Sequence, residues 1–339
     1  MLKISGSRVL VLGDIHADDT FQGRHYNYWE NVVEVSNRII NIVEEEKPDL
    51  VIIAGDLVGV KRGVSTIKDR NALLYLAKFL MSLPNCVVLK GNHDYNEVSD
   101  YEFLSEMCAF KSTSQIGGVV EFTHPLAETP CYFHCIDYGQ ENELITIYEN
   151  AYNIGIGHNE FFVEGQEQQY HGEHAIELRS KRNFFGLDML LSGHIHTPSI
   201  NFIPFSFQDG FESAFLNLGC PTRPSHGELY DQVWYVAFDF NKVEGTNLCE
   251  LGYRTEVFKL RLYTEIFRPK SDFIEEVQSD EAEDPFTGVQ KGKLEEIIGS
   301  MVTTNMGSDD FLAQVDRVLL VDDDVKNMAK KYLIRGMNV

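Results

Sequence analysis

The sequence predicts an α/β protein: a four-layer α/β/β/α sandwich of two mixed sheets with helices outside, plus a small C-terminal accessory and helical region. Three observations carry this expectation. Up to residue 90, short apolar runs alternate with segments of helical periodicity, the pattern of a mainly parallel sheet with crossover helices. From about residue 118 the pattern turns strand-rich, which implies a second sheet packed on the first. After residue 240 it changes again, to one alternating stretch, an acidic tract and amphipathic helical spacing. The 339 residues have room for one large domain and one or two small ones, expected here as 1–240, 241–285 and 286–339.

Residues 8–12 read as the first strand. Residues 27–46 carry Trp29, Val32, Val33, Val35, Ile39, Ile40 and Val43 near helical spacing. Lys47-Pro48 ends that helix, because proline disfavours a helical residue before it. A strand at 50–54, a helix at 69–82 closed by Pro84, and a strand at 86–90 follow. The second half offers strands at 117–122, 131–136, 153–157, 187–192, 199–204, 213–217 and 232–240. Residues 254–263 alternate and read as a strand or two of the accessory module, and 278–285 read as an acidic linker. Helices are expected at 294–301, 309–320 and 325–334, with N-cap residues at Ser308-Asp309 and Asp323-Asp324.

An apolar fraction of 43% and an aromatic fraction of 12% are ample for a packed core. No apolar run approaches the ~18 residues that flag a spanning helix. Met1 to Arg8 lack the apolar core of a signal peptide. The six cysteines include no C-x-x-C pair and mostly sit in apolar surroundings, as buried free thiols do. Together these predict a soluble, unsecreted protein without membrane contact in a reducing compartment, the cytoplasm, or the host cytoplasm if the chain is phage-encoded. The net charge of -23 argues against an unaided grip on nucleic acid, which is driven by Lys and Arg that release counterions. The local basic clusters, Lys61-Arg62, Lys68 to Arg70 and Arg179 to Arg182, are short.

Five Gly-led clusters of oxygen and imidazole donors stand out: Gly13-Asp14-Ile15-His16, Gly55-Asp56, Gly91-Asn92-His93-Asp94, Gly157-His158 and Gly193-His194-Ile195-His196. Four follow a buried-strand pattern, and the one at His158 follows a thinner run. Residues at the carboxyl ends of such strands sit where α/β sheets bind ligands. A lone Asp after a strand is more often a helix cap or turn former, but five such clusters in order are not explained by caps. Two divalent ions roughly 3.5–4 Å apart need a shared anionic bridge, and a carboxylate provides one. A shell of Asp, Asn and His without thiolate suits manganese, iron or zinc. The equipment is that of a two-metal hydrolase acting on a phosphoester. The other histidines, His25, His124, His134, His171, His174 and His226, have no such spacing and read as surface or core residues.

In this ordered series the chain resembles the calcineurin-like metallophosphoesterase superfamily, over about residues 8–240. The resemblance implies Asp14, His16 and His196 as ligands of a first metal and Asn92, His158 and His194 as ligands of a second. It implies Asp56 as the bridge. His93 resembles the family's non-ligand histidine, which donates a proton to the leaving oxygen, and Asp94 the carboxylate that orients it. The cofactors expected are two divalent ions, Mn2+ foremost, with Mg2+, Fe2+ or Zn2+ as alternatives. The segment Leu216 to Glu228 is similar to its counterpart in SbcD-type nucleases, with Cys220 in place of the usual Ser. That subfamily commonly carries a second histidine three residues after the bridging Asp. Gly59 occupies that position here, which bears on the balance of exo- and endonuclease action.

The resemblance implies a DNA exo-endonuclease subunit of repair or recombination, in a compact phage-like version. It also implies an SbcC-type coiled-coil ATPase as partner, docked through the C-terminal helices, and a homodimer. Two other readings stay open. One is a phosphomonoesterase or protein phosphatase of the same superfamily. The other is a non-catalytic structural subunit.

Overall fold

The computed structural model describes residues 1–18, 28–59, 67, 69–95, 100–107, 109–140, 145–162, 175–178, 184–203, 213–222 and 230–260. The basic residues at 61–62, 68 and 179–182, the histidines at 25, 171, 174 and 226, and the linker and helices expected beyond residue 260 lie outside the described residues. The described residues all fall within one compact unit, residues 1–268.

In chain order the strands are β1 (Leu2–Ser5), β2 (Arg8–Leu12), β3 (Leu50–Ile53), β4 (Val87–Val88), β5 (Lys111–Ser112), β6 (Val119–Thr123), β7 (Cys131–Ile136) and β8 (Tyr152–His158). They continue with β9 (Phe161–Phe162), β10 (Ile176–Glu177), β11 (Met189–Gly193), β12 (Ser199–Ile203), β13 (Ser213–Asn217), β14 (Gln232–Lys242) and β15 (Cys249–Lys259). The helices are α1 (Tyr28–Glu46), α2 (Arg70–Ser82), α3 (Asp100–Glu106) and α4 (Thr113–Ile116). A six-stranded sheet has the order β15-β14-β2-β3-β4-β5, and a seven-stranded sheet the order β1-β6-β7-β8-β11-β13-β12. Both are mixed, as expected. In the first, β2 to β5 run parallel and β14 pairs antiparallel with β2. In the second, β7, β8, β11 and β13 run parallel.

Side chains alternate across a strand, and here the alternation divides two cores. Val9, Val11, Leu50, Ile52 and Val87 enter a core with Phe122, Phe133, Ile154, Ile156 and Leu191 of the second sheet. Their neighbours Leu10, Leu12, Val51, Ile53 and Val88 enter another, with Val32, Val35 and Ile39 of α1 and Leu76 and Leu80 of α2. Both faces of β2 and β3 are covered, so these strands read as unbroken apolar runs. The outer face of the second sheet presents Ile136, Leu190 and Phe215. Among the described residues it is covered by Phe161, Ile176, Leu178 and Phe184.

Helix α1 buries Tyr28, Asn31, Val32, Val35, Ser36 and Ile39, one stripe of its surface. It ends where Lys47 turns to φ 49° before Pro48. Asp69 caps α2 by accepting the Asn71 N–H at 2.9 Å, satisfying an otherwise unpaired donor. Strand β4 is shorter than its apolar run. After Leu89 the chain leaves the sheet, and the Lys90 N–H goes to Asp137 Oδ1 at 2.7 Å.

Strand β15, which falls in the segment expected as an accessory module, pairs with β14 along its whole length, from Gln232 opposite Lys259 to Lys242 opposite Cys249. It is an edge strand of the six-stranded sheet. An ion-pair group fastens it there. Arg254 reaches Glu46 at the end of α1 and Asp239 of β14, and Arg8 of β2 reaches the same two carboxylates. Among the described residues no helix is long and apolar enough to cross a membrane, and the five described cysteines are free and buried.

Phe238 of β14 is 1% exposed and meets Phe133 of the opposite sheet edge-on, with ring centroids 5.3 Å apart. Phe238→Ala is expected to cost about 3–5 kcal/mol of stability. In urea unfolding the midpoint should fall while the slope stays unchanged. A loss below about 1 kcal/mol would show that the sheets do not depend on this contact.

Candidate metal centre

The nine residues singled out from the sequence come together at the carboxyl ends of strands from both sheets. Asp14 and His16 follow β2, Asp56 follows β3, and Asn92 to Asp94 form a single 3-10 turn after β4. His158 is the last residue of β8, and His194 and His196 follow β11. Asp14, His16, Asp56, Asp94 and His158 are buried, whereas Asn92, His93, His194 and His196 are half-buried. One side of the cluster therefore stays accessible.

Asp56 lies at the middle. Its Oδ2 is 3.3 Å from His16 Nε2 and 3.2 Å from His158 Nε2. Its Oδ1 accepts the His93 N–H at 2.8 Å. On one side, His16 Nε2 and His196 Nε2 stand 3.0 Å apart, and Asp14 Oδ2 is 3.9 and 3.7 Å from them. On the other, Asn92 Oδ1 is 3.1 Å from His158 Nε2 and 2.9 Å from His194 Nδ1. The ring of His93 meets that of His16 edge-on at 4.9 Å.

The backbone is bent to achieve this. His16, Asp56 and His194 all adopt positive φ, at 49°, 45° and 76°, a region that side chains other than glycine occupy at a cost and mostly at functional sites. The motif glycines make room. A Cβ on Gly193 would overlap Asp14 Oδ1 and the Ala54 carbonyl, and one on Gly91 would overlap Asp56 Oδ1. His158 Nδ1 lies 2.7 Å from the Ala54 carbonyl. A proton held there leaves Nε2 to face Asp56 and Asn92, the arrangement by which an outer hydrogen bond fixes a metal-binding tautomer.

Asp94 has its own set of partners. Its carboxylate accepts the N–H groups of Gly91 at 2.9 Å, Val58 at 3.1 Å and Leu57 at 3.3 Å. It ties the loop after β3 to the turn after β4, and so holds His93 in place through the backbone. Asp137 does similar work one step further out, bonding the Lys90 N–H and the Thr113 hydroxyl.

The electrostatics fit a cation site. Burial pushes Asp14 up to about 7, opposed by His158 and reinforced by Asp56. Burial and the charge of Asp56 push Asp94 up to about 8. Burial would raise Asp56 too, but His158 and His16 hold it below the usual carboxylate range. Burial would lower His158, yet Asp56 and Asp14 raise it to about 10. Burial and the charge of His158 bring His194 down to about 4. In the protein alone, protons on Asp14 and His158 balance the buried carboxylates. Divalent ions can take over that charge, and the oxygen and imidazole donors suit them. Ligand atoms of His16, Asp56 and His93 lie within 4.8 Å of one another, as do those of Asp56, His158 and His194.

A third group of this kind, His16, His196 and Cys220, brings in a residue that the reading of the donor shell passed over. Cys220 is in the sequence as a substitution in the turn after β13. Nothing local to that turn says that its sulfur lies within 4.8 Å of ring nitrogens from two distant motifs.

Two outcomes follow for metal loading. At pH 6 both Asp14, near 7, and His158, near 10, hold protons. Filling both positions should then release more protons at pH 6 than at pH 8, and affinity should rise with pH across that window. Calorimetry in buffers of different ionisation enthalpy measures this, and equal release at both pH values would contradict it. Asp56→Asn should lose most of the bound metal and nearly all hydrolysis. Elemental analysis of the variant decides the point, since two retained ions would place the bridge elsewhere.

The D component of the nuclease SbcCD from Staphylococcus saprophyticus is 26% identical over 228 residues, which cover 57% of this chain and 59% of that protein. The chain thus spans little more than half the length of that relative. Among solved structures, a dimetal phosphatase from Danio rerio shares 11% identity over 75% of this chain and 98% of its own, with a TM-score of 0.45. An archaeal phosphodiesterase shares 13% over 74% and 99%, with a TM-score of 0.35. Residues 7–198 match the calcineurin-like phosphoesterase family. That match covers more than half of the chain and includes every one of the nine residues, so the chain belongs to this family of metal-dependent phosphoesterases.

Proposed function

We propose that the chain is a divalent-metal-dependent DNA nuclease, an SbcD-like subunit of a DNA end-processing complex. The observation that carries this reading is its identity, over 228 residues, to a protein named as a nuclease subunit. The family supplies phosphoester hydrolysis, and that relative supplies DNA as the phosphodiester. The net charge of -23 fits a subunit whose hold on DNA comes from a partner. An SbcC-type coiled-coil ATPase, receiving the helices expected beyond residue 286, would be that partner, and a homodimer the assembly.

In this reading Asp14, His16 and His196 hold a first ion, Asn92, His158 and His194 a second, and Asp56 both; manganese is the ion we favour. When bound, such a pair polarises a phosphoryl oxygen and supplies a nucleophilic water at neutral pH. The chain's own residues do the rest. His93 donates a proton to the leaving oxygen. Its backbone is fixed to Asp56 Oδ1, and Asp94 fixes the turn beneath it. Gly59, buried with its N–H on the Ala17 carbonyl at 2.9 Å, offers no second imidazole, so His93 is the proton donor. The acidic charge also favours a second reading, a phosphomonoesterase that needs no DNA contact.

The test uses purified chain in manganese, with and without a coiled-coil ATPase, on labelled duplex and single-stranded DNA and on p-nitrophenyl phosphate. DNA cleavage is expected. His93→Ala should keep both ions and lose roughly 100-fold or more in rate. Hydrolysis of p-nitrophenyl phosphate alone, with DNA intact in both arms, would favour the second reading. Loss of an ion from His93→Ala would make His93 a ligand.

A further inference from the structure

Cys220 lies in the turn after β13 and is fully buried. Its sulfur and the ring nitrogens of His16 and His196 lie within 4.8 Å of one another. The turn is tied to both loops that carry those imidazoles. The Cys220 N–H donates to the His196 carbonyl at 3.2 Å. Two residues on, the Thr222 hydroxyl donates to the Ile15 carbonyl at 2.7 Å, and its oxygen lies 3.3 Å from the sulfur. Gly219, at φ 83°, makes the bend. The other described cysteines differ. Cys86, Cys131, Cys135 and Cys249 pack within the two apolar cores.

The two imidazoles are an independent pointer to a ligand. His16 Nε2 and His196 Nε2 face each other at 3.0 Å, with a carboxylate oxygen of Asp14 beside both. A sulfur next to such a set changes its chemistry. Oxygen and imidazole donors accept manganese and magnesium, whereas a thiolate selects softer ions such as zinc or ferrous iron. Among the described residues, the position around Asn92, His158 and His194 has no cysteine in its donor group.

We propose that Cys220 supplies a sulfur donor to the metal position formed by Asp14, His16 and His196, and that it turns this position toward zinc or ferrous iron over manganese. The two positions would then differ, a soft-leaning one and a hard one, and the manganese favoured above would belong to the hard one alone. The thiol gives up its proton to solvent as the metal–sulfur bond forms. This inference rests on the metal-centre reading above, but not on DNA being the substrate.

The experiment loads the metal-free full chain with two equivalents of cobalt or cadmium and records sulfur-to-metal charge-transfer absorption. The native chain should show the band. Cys220→Ser should bind two ions and lose it, and its preference for zinc over manganese should fall about tenfold or more, the scale on which donors near a metal tune affinity. Equal bands in both proteins would overturn the proposal. X-ray absorption on the zinc-loaded native chain needs no variant. A sulfur neighbour at about 2.3 Å is expected, and a shell of nitrogen and oxygen only would overturn the assignment. Failure of the native chain to bind two ions at all would defeat the metal-centre reading along with this one; bound ions without a sulfur signal would defeat this one alone.

Discussion

The carboxylate of Asp56 is the constraint around which the site is arranged. One oxygen faces imidazoles from two different sheets, and the other holds the backbone of His93. An anion buried this far must be balanced, because isolated buried charge is costly in a medium of low dielectric constant. His16 and His158 supply part of that balance. The positive φ of Asp56 and the bare α-carbon of Gly91 are what let the carboxylate reach this place. The bend and the missing side chain cost backbone stability, and the fold offsets this with the apolar packing behind the strands.

That packing also explains why two sheets are needed. Asp14, Asp56 and Asn92 come from the six-stranded sheet, and His158, His194 and His196 from the other. Neither sheet alone carries the complete donor set on either side of Asp56. The core between them, with Phe133 against Phe238, sets the distance between the two contributions. A shift of one sheet on the other would separate His158 from Asp56 without touching either residue.

Much of this was legible in the sequence, and for definite reasons. Strands β2 and β3 are covered on both faces, so apart from Arg8 at the start of β2 their residues are apolar and they stand out. Helix α1 shows its stripe from Tyr28 to Ile39 and its stop at Pro48. The motif residues were legible because each cluster pairs a glycine with donors just after a strand. Other features left no such trace. β5, β9 and β10 have two residues each, too few for any period. β1 alternates between half-buried and exposed residues and resembles a polar terminus. The alternation within β15 was visible, but its partner was not, since pairing along β14 is a tertiary choice sealed by Arg254 with Glu46 and Asp239. Cys220 reads as a variation in a turn because its relation to His16 exists only in the folded chain.

The distances along the chain between contacting groups have a further consequence, for biosynthesis. His16 meets His196 across 180 residues, and Ile15 meets Thr222 across 207. At roughly 5–20 residues per second of translation, the interval between the appearance of the first motif and the last is on the order of ten to forty seconds. For the first part of it the early strands lack most of the second sheet that covers them, and the early donors face water. Occupancy of the complete centre is therefore a late event, open only to a chain translated past His196. A nascent or truncated chain ending before that point presents a partial donor set at most, so full metal occupancy doubles as a marker that every donor-bearing strand has been made.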